Sequence, residues 1–392
     1  MSRKLAAALA LLIAVALLPI PALAAPAQML DFTTMASEDN TADHWKWDKA
    51  SKTLTLNSAT LAVPLRLPPD ATIVVNGTNS ISVSRQNDPP QSSNHFVVSS
   101  TGPVTITGTG ILNITSGTPQ HLNVDNGPIK DLWVGGLVLG MEGKPGPTVN
   151  LTQNMFNSAA ITGSVIVHSG TLNIKALSRA GTGIGDDVTV TGGSLNIEAM
   201  NGGIVGSLYI TGGSVRAMAK NDATSGVVDE YAGIAFGGLL KVEGGEVWLT
   251  SQTPGSHHAD RFAPAILEEE LGTGLTVKGS TTYNDPSPTQ PVTWKPYGTT
   301  VVTDPGNPNN PTPGGPGQSY LYPFIGDTLA KTVKISAGDD SGSQSGIIIY
   351  VPTDDTPNTT TGNPTTGAND FVSTATAAAL MALLGAAALL RK

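Results

Sequence analysis

The residues in this chain that could do chemistry are few and scattered. Asp186 and Asp187 share one turn and Glu198 follows on the next, so a hard cation such as calcium would find its carboxylates here. The competing reading makes Asp186 and Asp187 solvated corner residues. A hydrolase would need two carboxylates on neighbouring strands facing one groove, an arrangement that primary structure does not specify. His257, His258 and Asp260 are metal-ligating residue types, but adjacent side chains on an extended chain point opposite ways, which favours a surface loop. Glu268, Glu269 and Glu270 form a solvated face on a short insert. Trp133, Trp248 and Trp294 either present flat faces to sugar rings or pack inside. No glycine-rich phosphate loop stands between a strand and a helix, and no catalytic constellation is visible.

The elements that would carry these residues are legible as repeats, with glycine as the ruler. The segment Val104-Thr-Ile-Thr-Gly-Thr-Gly-Ile-Leu-Asn-Ile114 recurs as Val165 to Ile174 and again as Val188 to Ile197. Weaker copies run from Leu208 to Val215 and from Leu240 to Leu249. Each copy is a short strand with alternate apolar residues, a glycine corner, and a second strand with the same alternation. A third short element lies between the later copies, at Gly183-Ile184-Gly185, Gly203 to Gly206 and Gly233 to Gly237. Three strands per turn predict an all-β, single-stranded parallel β-helix, a β-solenoid, over residues 25–290. A sandwich of antiparallel hairpins is the competing arrangement, although it would favour two-residue Asn-Gly or Asp-Gly turns. Trp45 and Trp47 are expected to cap the first rung, because exposed solenoid ends are unpaired strand edges.

Composition agrees with this architecture. The 392 residues contain 45 Gly and 28 Pro, only 13% charged residues and no Cys, so many turns are expected and no disulfide or thiolate metal site is available. The net charge of −9 and the lack of a Lys/Arg cluster in the body argue against a nucleic-acid partner. Residues 291–362 form a Pro/Gly/Asn/Thr-rich linker with a small β element at 319–351, which either makes its own hairpin or packs back on the solenoid.

Both ends carry targeting features. Arg3 and Lys4, the apolar run from Leu5 to Leu18 and the triplet Ala22-Leu23-Ala24 make residues 1–24 a secretory signal peptide, cut between Ala24 and Ala25. At the other end, Asn363-Pro364-Thr365-Thr366-Gly367 precedes an apolar stretch at 371–390 and the terminal Arg391-Lys392. An apolar segment of that length forms a membrane-spanning anchor helix, and the terminal cations would hold it on the cytoplasmic side. Residues 363–392 resemble the cell-wall sorting signal of sortase substrates, Leu-Pro-x-Thr-Gly, with Asn363 in place of Leu. The resemblance implies cleavage between Thr366 and Gly367 and transfer to peptidoglycan, with the membrane as a partner only before processing. The alternative is a plain transmembrane tail.

The order Trp45-x-Trp47-Asp48, Thr53-Leu-Thr-Leu56, Leu67-Pro68 and Ile73-Val-Val75-x-Gly77-x-Asn79-x-Ile81, followed by the Leu-Asn-Ile units, resembles surface repeat proteins of Firmicutes. It is also similar to carbohydrate-binding β-helix proteins of the pectin lyase-like type. That resemblance spans about residues 28–285 and implies a right-handed β-helix that binds polysaccharide, in some relatives an acidic one with calcium. Lyases of that fold need clustered carboxylates and a nearby basic residue. Here the arginines before the linker are Arg66, Arg85, Arg179, Arg216 and Arg261, and none recurs from rung to rung. The expectation is therefore an extracellular, wall-displayed, non-catalytic binding or adhesion protein for polysaccharide. A polysaccharide lyase or glycoside hydrolase is the alternative, and a ligand-free structural spacer is a third.

Overall fold

The computed structural model describes residues 29–83, 96–116, 131–154, 159–177, 181–200, 202–220, 234–236, 240–251, 266–267, 275–282, 288–296 and 320–337, all within 1–350. Among these residues there are strands and turns and no helix. The predicted 371–390 anchor helix and the signal peptide lie outside the described residues. Among the described residues, no helix is long and apolar enough to cross a membrane.

Three stacked sheets make up the body, and consecutive turns of chain supply successive strands to each. One rung shows the pattern. Val165–Val167 joins sheet B, Thr171–Ala176 joins sheet C and Thr182–Ile184 joins sheet A, and the next rung begins at Val188–Val190. Each strand pairs in parallel with its counterpart one rung away: Val165 with Val188, Leu172 with Leu195, and Ile184 with Ile204. Parallel pairing throughout the stack decides for the β-solenoid over the antiparallel sandwich.

Alternation explains why these segments fold this way. In Thr171–Ala176, Leu172, Ile174 and Ala176 point inward and are buried, while Asn173 and Lys175 point outward. One rung cannot shield its inward side chains, so its neighbours above and below supply the cover. The resulting core is a single column of Leu, Ile and Val running from Leu54 to Leu249.

The spacing of 60 residues between Gly110 and Gly170 conceals a complete rung. Leu137–Leu139 lies in sheet B, Thr148–Gln153 in sheet C and Ala159–Ile161 in sheet A. An insertion from Gly140 to Pro147 replaces the short corner there and masks the repeat in the sequence. Thr53–Asn57 and Thr72–Asn76, which precede the recognisable repeats, are also sheet B strands.

The corners need glycine for a specific reason. Gly170, Gly193, Gly213 and Gly245 all have φ between 69° and 82°. A β-carbon on Gly193 would lie 2.6 Å from the carbonyl oxygen of Gly170, and one on Gly213 would lie 2.5 Å from that of Gly193. Those carbonyls are committed, since Gly170 O accepts from Ser194 N at 2.9 Å and Gly193 O from Ser214 N at 3.0 Å.

Among the described residues, antiparallel strands cover one sheet at each end of the solenoid, sheet B at the start and sheet C at the finish. At the start, Glu38–Asn40 and Trp45–Asp48 pair in antiparallel fashion ahead of Thr53–Asn57. Trp45 and Trp47 pack against Phe32 with ring centroids 5.6 and 5.0 Å apart. The aromatic opening is thus a cap. At the other end the parallel strands of sheet C finish at Glu246–Ser251. Thr332–Ala337 then pairs antiparallel to that strand, with Leu275–Ser280 outside it. Within the 319–351 element, Tyr320–Ile325 pairs antiparallel with Thr328–Leu329, and Thr332–Ala337 packs on the last strand of sheet C, while residues 338–351 lie outside the described residues.

Candidate functional site

The outward residues of sheet C form straight columns, because parallel in-register pairing stacks equivalent positions about 4.8 Å apart. The central column reads Asn113, Asn150, Asn173, Asn196, Arg216, Trp248 and Lys334. Its asparagines are linked head to tail. Asn150 Nδ2 donates to Asn113 Oδ1 at 2.8 Å, Asn173 Nδ2 to Asn150 Oδ1 at 2.8 Å, and Asn196 Nδ2 to Asn173 Oδ1 at 2.9 Å. Beside this ladder runs a second column of Thr152, Lys175, Glu198, Met218 and Thr250. From Asn150 and Thr152 to Trp248 and Thr250, the two columns line an open groove of about 770 Å³ that crosses the strands and ends against Thr332 of the cap.

The C-terminal end of the groove is charged. Arg216 and Lys334 lie over opposite neighbouring positions of the Trp248 indole, with their charged groups 5.1 and 4.9 Å from its rings. Such contacts favour a cation over an aromatic face. Lys334 also reaches Glu246 at 2.7 Å, and Lys220 pairs with Glu198. Both carboxylates at this end are therefore engaged with lysines, while Lys175 is exposed on the groove wall.

The Lys334 ammonium, hydrogen-bonded to Glu246, holds that carboxyl below its ordinary value of 4.5, with Arg216 adding a smaller favourable charge. A carboxylate with a depressed folded-state pKa stabilises the fold above its unfolded pKa, and the contribution is lost as pH falls through the folded value. The cap strand carrying Lys334 should accordingly loosen below about pH 4.5. Thermal unfolding followed from pH 7 to pH 3 should fall less steeply for Glu246→Gln than for the parent. Equal slopes would show that the Lys334 pair does not hold the cap.

The structure separates the residues that the sequence singled out. Glu198 and Arg216 both line the groove. Asp186 and Asp187 lie on the corner between sheets A and B and face neighbouring rungs. Asp186 accepts from Ser164 Oγ at 2.8 Å, and Asp187 accepts from the Ser207 amide at 2.8 Å. Among the described residues, no group of three or more His, Asp or Glu is placed to hold a metal ion. Arg66 is on sheet A, 3.5 Å from Asp31 and over the Phe96 ring. Trp133 and Trp294 are 0% exposed and belong to the core, so neither presents a face to a sugar. His257, His258, Asp260, Glu268 to Glu270, Arg85, Arg179, Arg261 and the 363–367 pentapeptide lie outside the described residues.

Sequence reasoning did not single out the asparagine ladder, although its signal was present. Leu112-Asn113-Ile114, Leu172-Asn173-Ile174 and Leu195-Asn196-Ile197 place Asn at the outward position of the three strong copies, and Val149-Asn150-Leu151 belongs to the concealed rung. Lys334 could not have been found this way, since 82 residues of sequence separate its strand neighbours Thr250 and Thr332.

Fold and groove together define a parallel β-solenoid with a trough of mixed polar and apolar lining across one sheet. Residues 152–281 match the family model of carbohydrate-binding domain-containing proteins. This stretch includes Asn173, Asn196, Arg216 and Trp248. No curated protein and no solved structure matches the chain.

Proposed function

We propose that this is a secreted, wall-displayed, non-catalytic protein that holds polysaccharide in the groove across sheet C. The observation that carries the reading is the groove itself, a row of carboxamides ending in Arg216 and Trp248, within the span that matches the carbohydrate-binding family. Carboxamides can both donate to and accept from sugar hydroxyls, and guanidinium and ammonium groups add donors. A non-catalytic role is supported by the state of Glu198, the carboxylate that lines the groove, which is paired with Lys220, and of nearby Glu246, which is paired with Lys334. Wall display rests on the two sequence ends, with sortase and peptidoglycan as processing partners. Calcium, if used, would have Asp186 and Asp187 as its candidates, and these lie away from the groove.

A glycan array probed with and without calcium tests the binding role. Binding of at least one polysaccharide, weakened by Arg216→Ala and unchanged by Asp187→Asn, is the expected result. No binding under either condition would leave the spacer reading. Release of unsaturated or reducing sugar ends from a bound polysaccharide would replace the binding role with a catalytic one. Display is checked by the mass of the C-terminal peptide from digested walls. A peptide ending at Thr366 with a wall fragment attached is expected, and an intact Arg391-Lys392 end in the membrane fraction would overturn wall attachment.

A further inference from the structure

Building on the polysaccharide-binding role, we infer that the groove takes an unbranched glycan in an extended conformation, lying along the solenoid axis and engaged at each rung by one member of the Asn150–Asn173–Asn196–Arg216 column. The tightest contact falls at Asn196 and Arg216.

The argument begins with the ladder's valence. A carboxamide has two N–H donors and an oxygen with two lone pairs. Asn150 and Asn173 each spend one donor and one lone pair on ladder neighbours, leaving one of each at those two rungs, while Asn196 spends a donor only and Arg216 offers donors alone. The Asn150 and Asn173 side chains are half-buried and line the groove, so the remaining capacity is open to a ligand in it. In-register pairing sets the column along a straight line at ~4.8 Å intervals. From the Asn150 strand to the Trp248 strand the groove crosses about four such intervals, or roughly 19 Å.

A linear glycan with an extended backbone presents hydroxyls at a regular interval along a straight line and meets the whole column. A coiled glycan turns its hydroxyls away after one or two units, and a branched one meets the side chains that flank the ladder. The class of ligand therefore follows from the straightness and spacing of the column.

The direction of the ladder places its strongest point. Each Nδ2 donates toward the preceding rung, so the amide dipoles are aligned and polarise one another. At Asn196 the series stops, because the column continues as Arg216. Asn196 Oδ1 accepts no ladder bond and is the polarised acceptor end of the chain; Arg216 holds the next position of the column, with its guanidinium over Trp248 one rung further on. A sugar can donate from one hydroxyl to this oxygen and accept from the guanidinium at another, which a group lacking a proton cannot do.

The test is calorimetric titration of the full chain with oligosaccharides of two to six units. Xylo-, cello- and galacturono-oligosaccharides serve as extended chains, and malto-oligosaccharides as coiled ones. Affinity for at least one extended series should rise about tenfold or more from the dimer to the tetramer or pentamer and then level off, with the coiled series weaker at every length. Asn196→Thr should weaken every length about tenfold. Asn150→Thr, at the far end, should weaken only the longer oligomers and leave the dimer unchanged. Threonine suits an outward strand position, and an unchanged unfolding temperature confirms that each variant is folded. If affinity is flat beyond the dimer, if coiled and extended series bind alike, or if both variants weaken every length equally, the axial arrangement is wrong while glycan binding stands. If no series binds, the polysaccharide role falls with it.

Discussion

Replacing Ile335 by Asp should release the C-terminal cap and increase self-association of the protein. Ile335 is 0% exposed, in the strand that covers Val247 and pairs with Val277 on its other side. A carboxylate there has no partner in an apolar environment, and burying it costs about 3–5 kcal/mol. The chain can avoid that cost by detaching Thr332–Ala337, which would bare the backbone groups of Glu246–Ser251 at the end of an in-register parallel sheet. An open edge of this kind is a template for another copy. The expected result is concentration-dependent association in sedimentation velocity, with fast amide exchange in Glu246–Ser251. Ile335→Val, which leaves the strand seated, should cost about 1 kcal/mol and keep the association state of the parent. An Ile335→Asp variant with the association state of the parent and protected amides in that strand would show that the cap is not what covers this end of sheet C. The same strand carries Lys334, so its release should also remove one wall of the groove and weaken glycan binding.

Gly193→Ala should destabilise the solenoid by at least about 3 kcal/mol, whereas Gly143→Ala should cost about 1 kcal/mol. The two glycines have almost the same backbone conformation, with φ of 69° and 68°. They differ in surroundings. A β-carbon at Gly143 would meet nothing within 4 Å, while at Gly193 it would be driven into the Gly170 carbonyl. The first substitution therefore reports the conformational cost alone and the second adds a backbone clash that no rotamer can relieve. The clash also displaces the carbonyl that accepts from Ser194 N, so register between two rungs is lost as well as local geometry. Because each rung is covered only by its neighbours, damage in the middle should spread along the stack. Equal losses at the two sites, measured by chemical denaturation, would mean that corner glycines are selected for φ and not for the closeness of the rungs.

The repeats made the solenoid legible because burial on one face imposes a period of two, and stacking imposes glycine at the same corner of each turn. Leu172, Ile174, Leu195 and Ile197 point inward as their alternation requires. The rung at Leu137–Ile161 was hidden because an insertion at its corner changed the spacing without changing the strands. The candidate site was half legible. The outward Asn of the three strong copies is written in the sequence, yet a single Asn on a strand reads as an ordinary solvated residue until register aligns it with its equivalents.

By itself, then, the sequence determined the all-β class, the parallel stacking of three strands per turn and the aromatic cap, since each follows from local patterns of burial and turn chemistry. Tertiary structure alone decided three things. It joined four asparagines from four rungs into one hydrogen-bonded column. It sent Trp133 and Trp294 into the core and left Trp248 between two cations. It also brought Lys334, from the β element within the linker region, beside Trp248 near the end of the groove. The physical reason is common to all three: periodicity fixes which face a side chain takes, but register and strand return fix its neighbours, and those are set by packing between segments far apart in the chain.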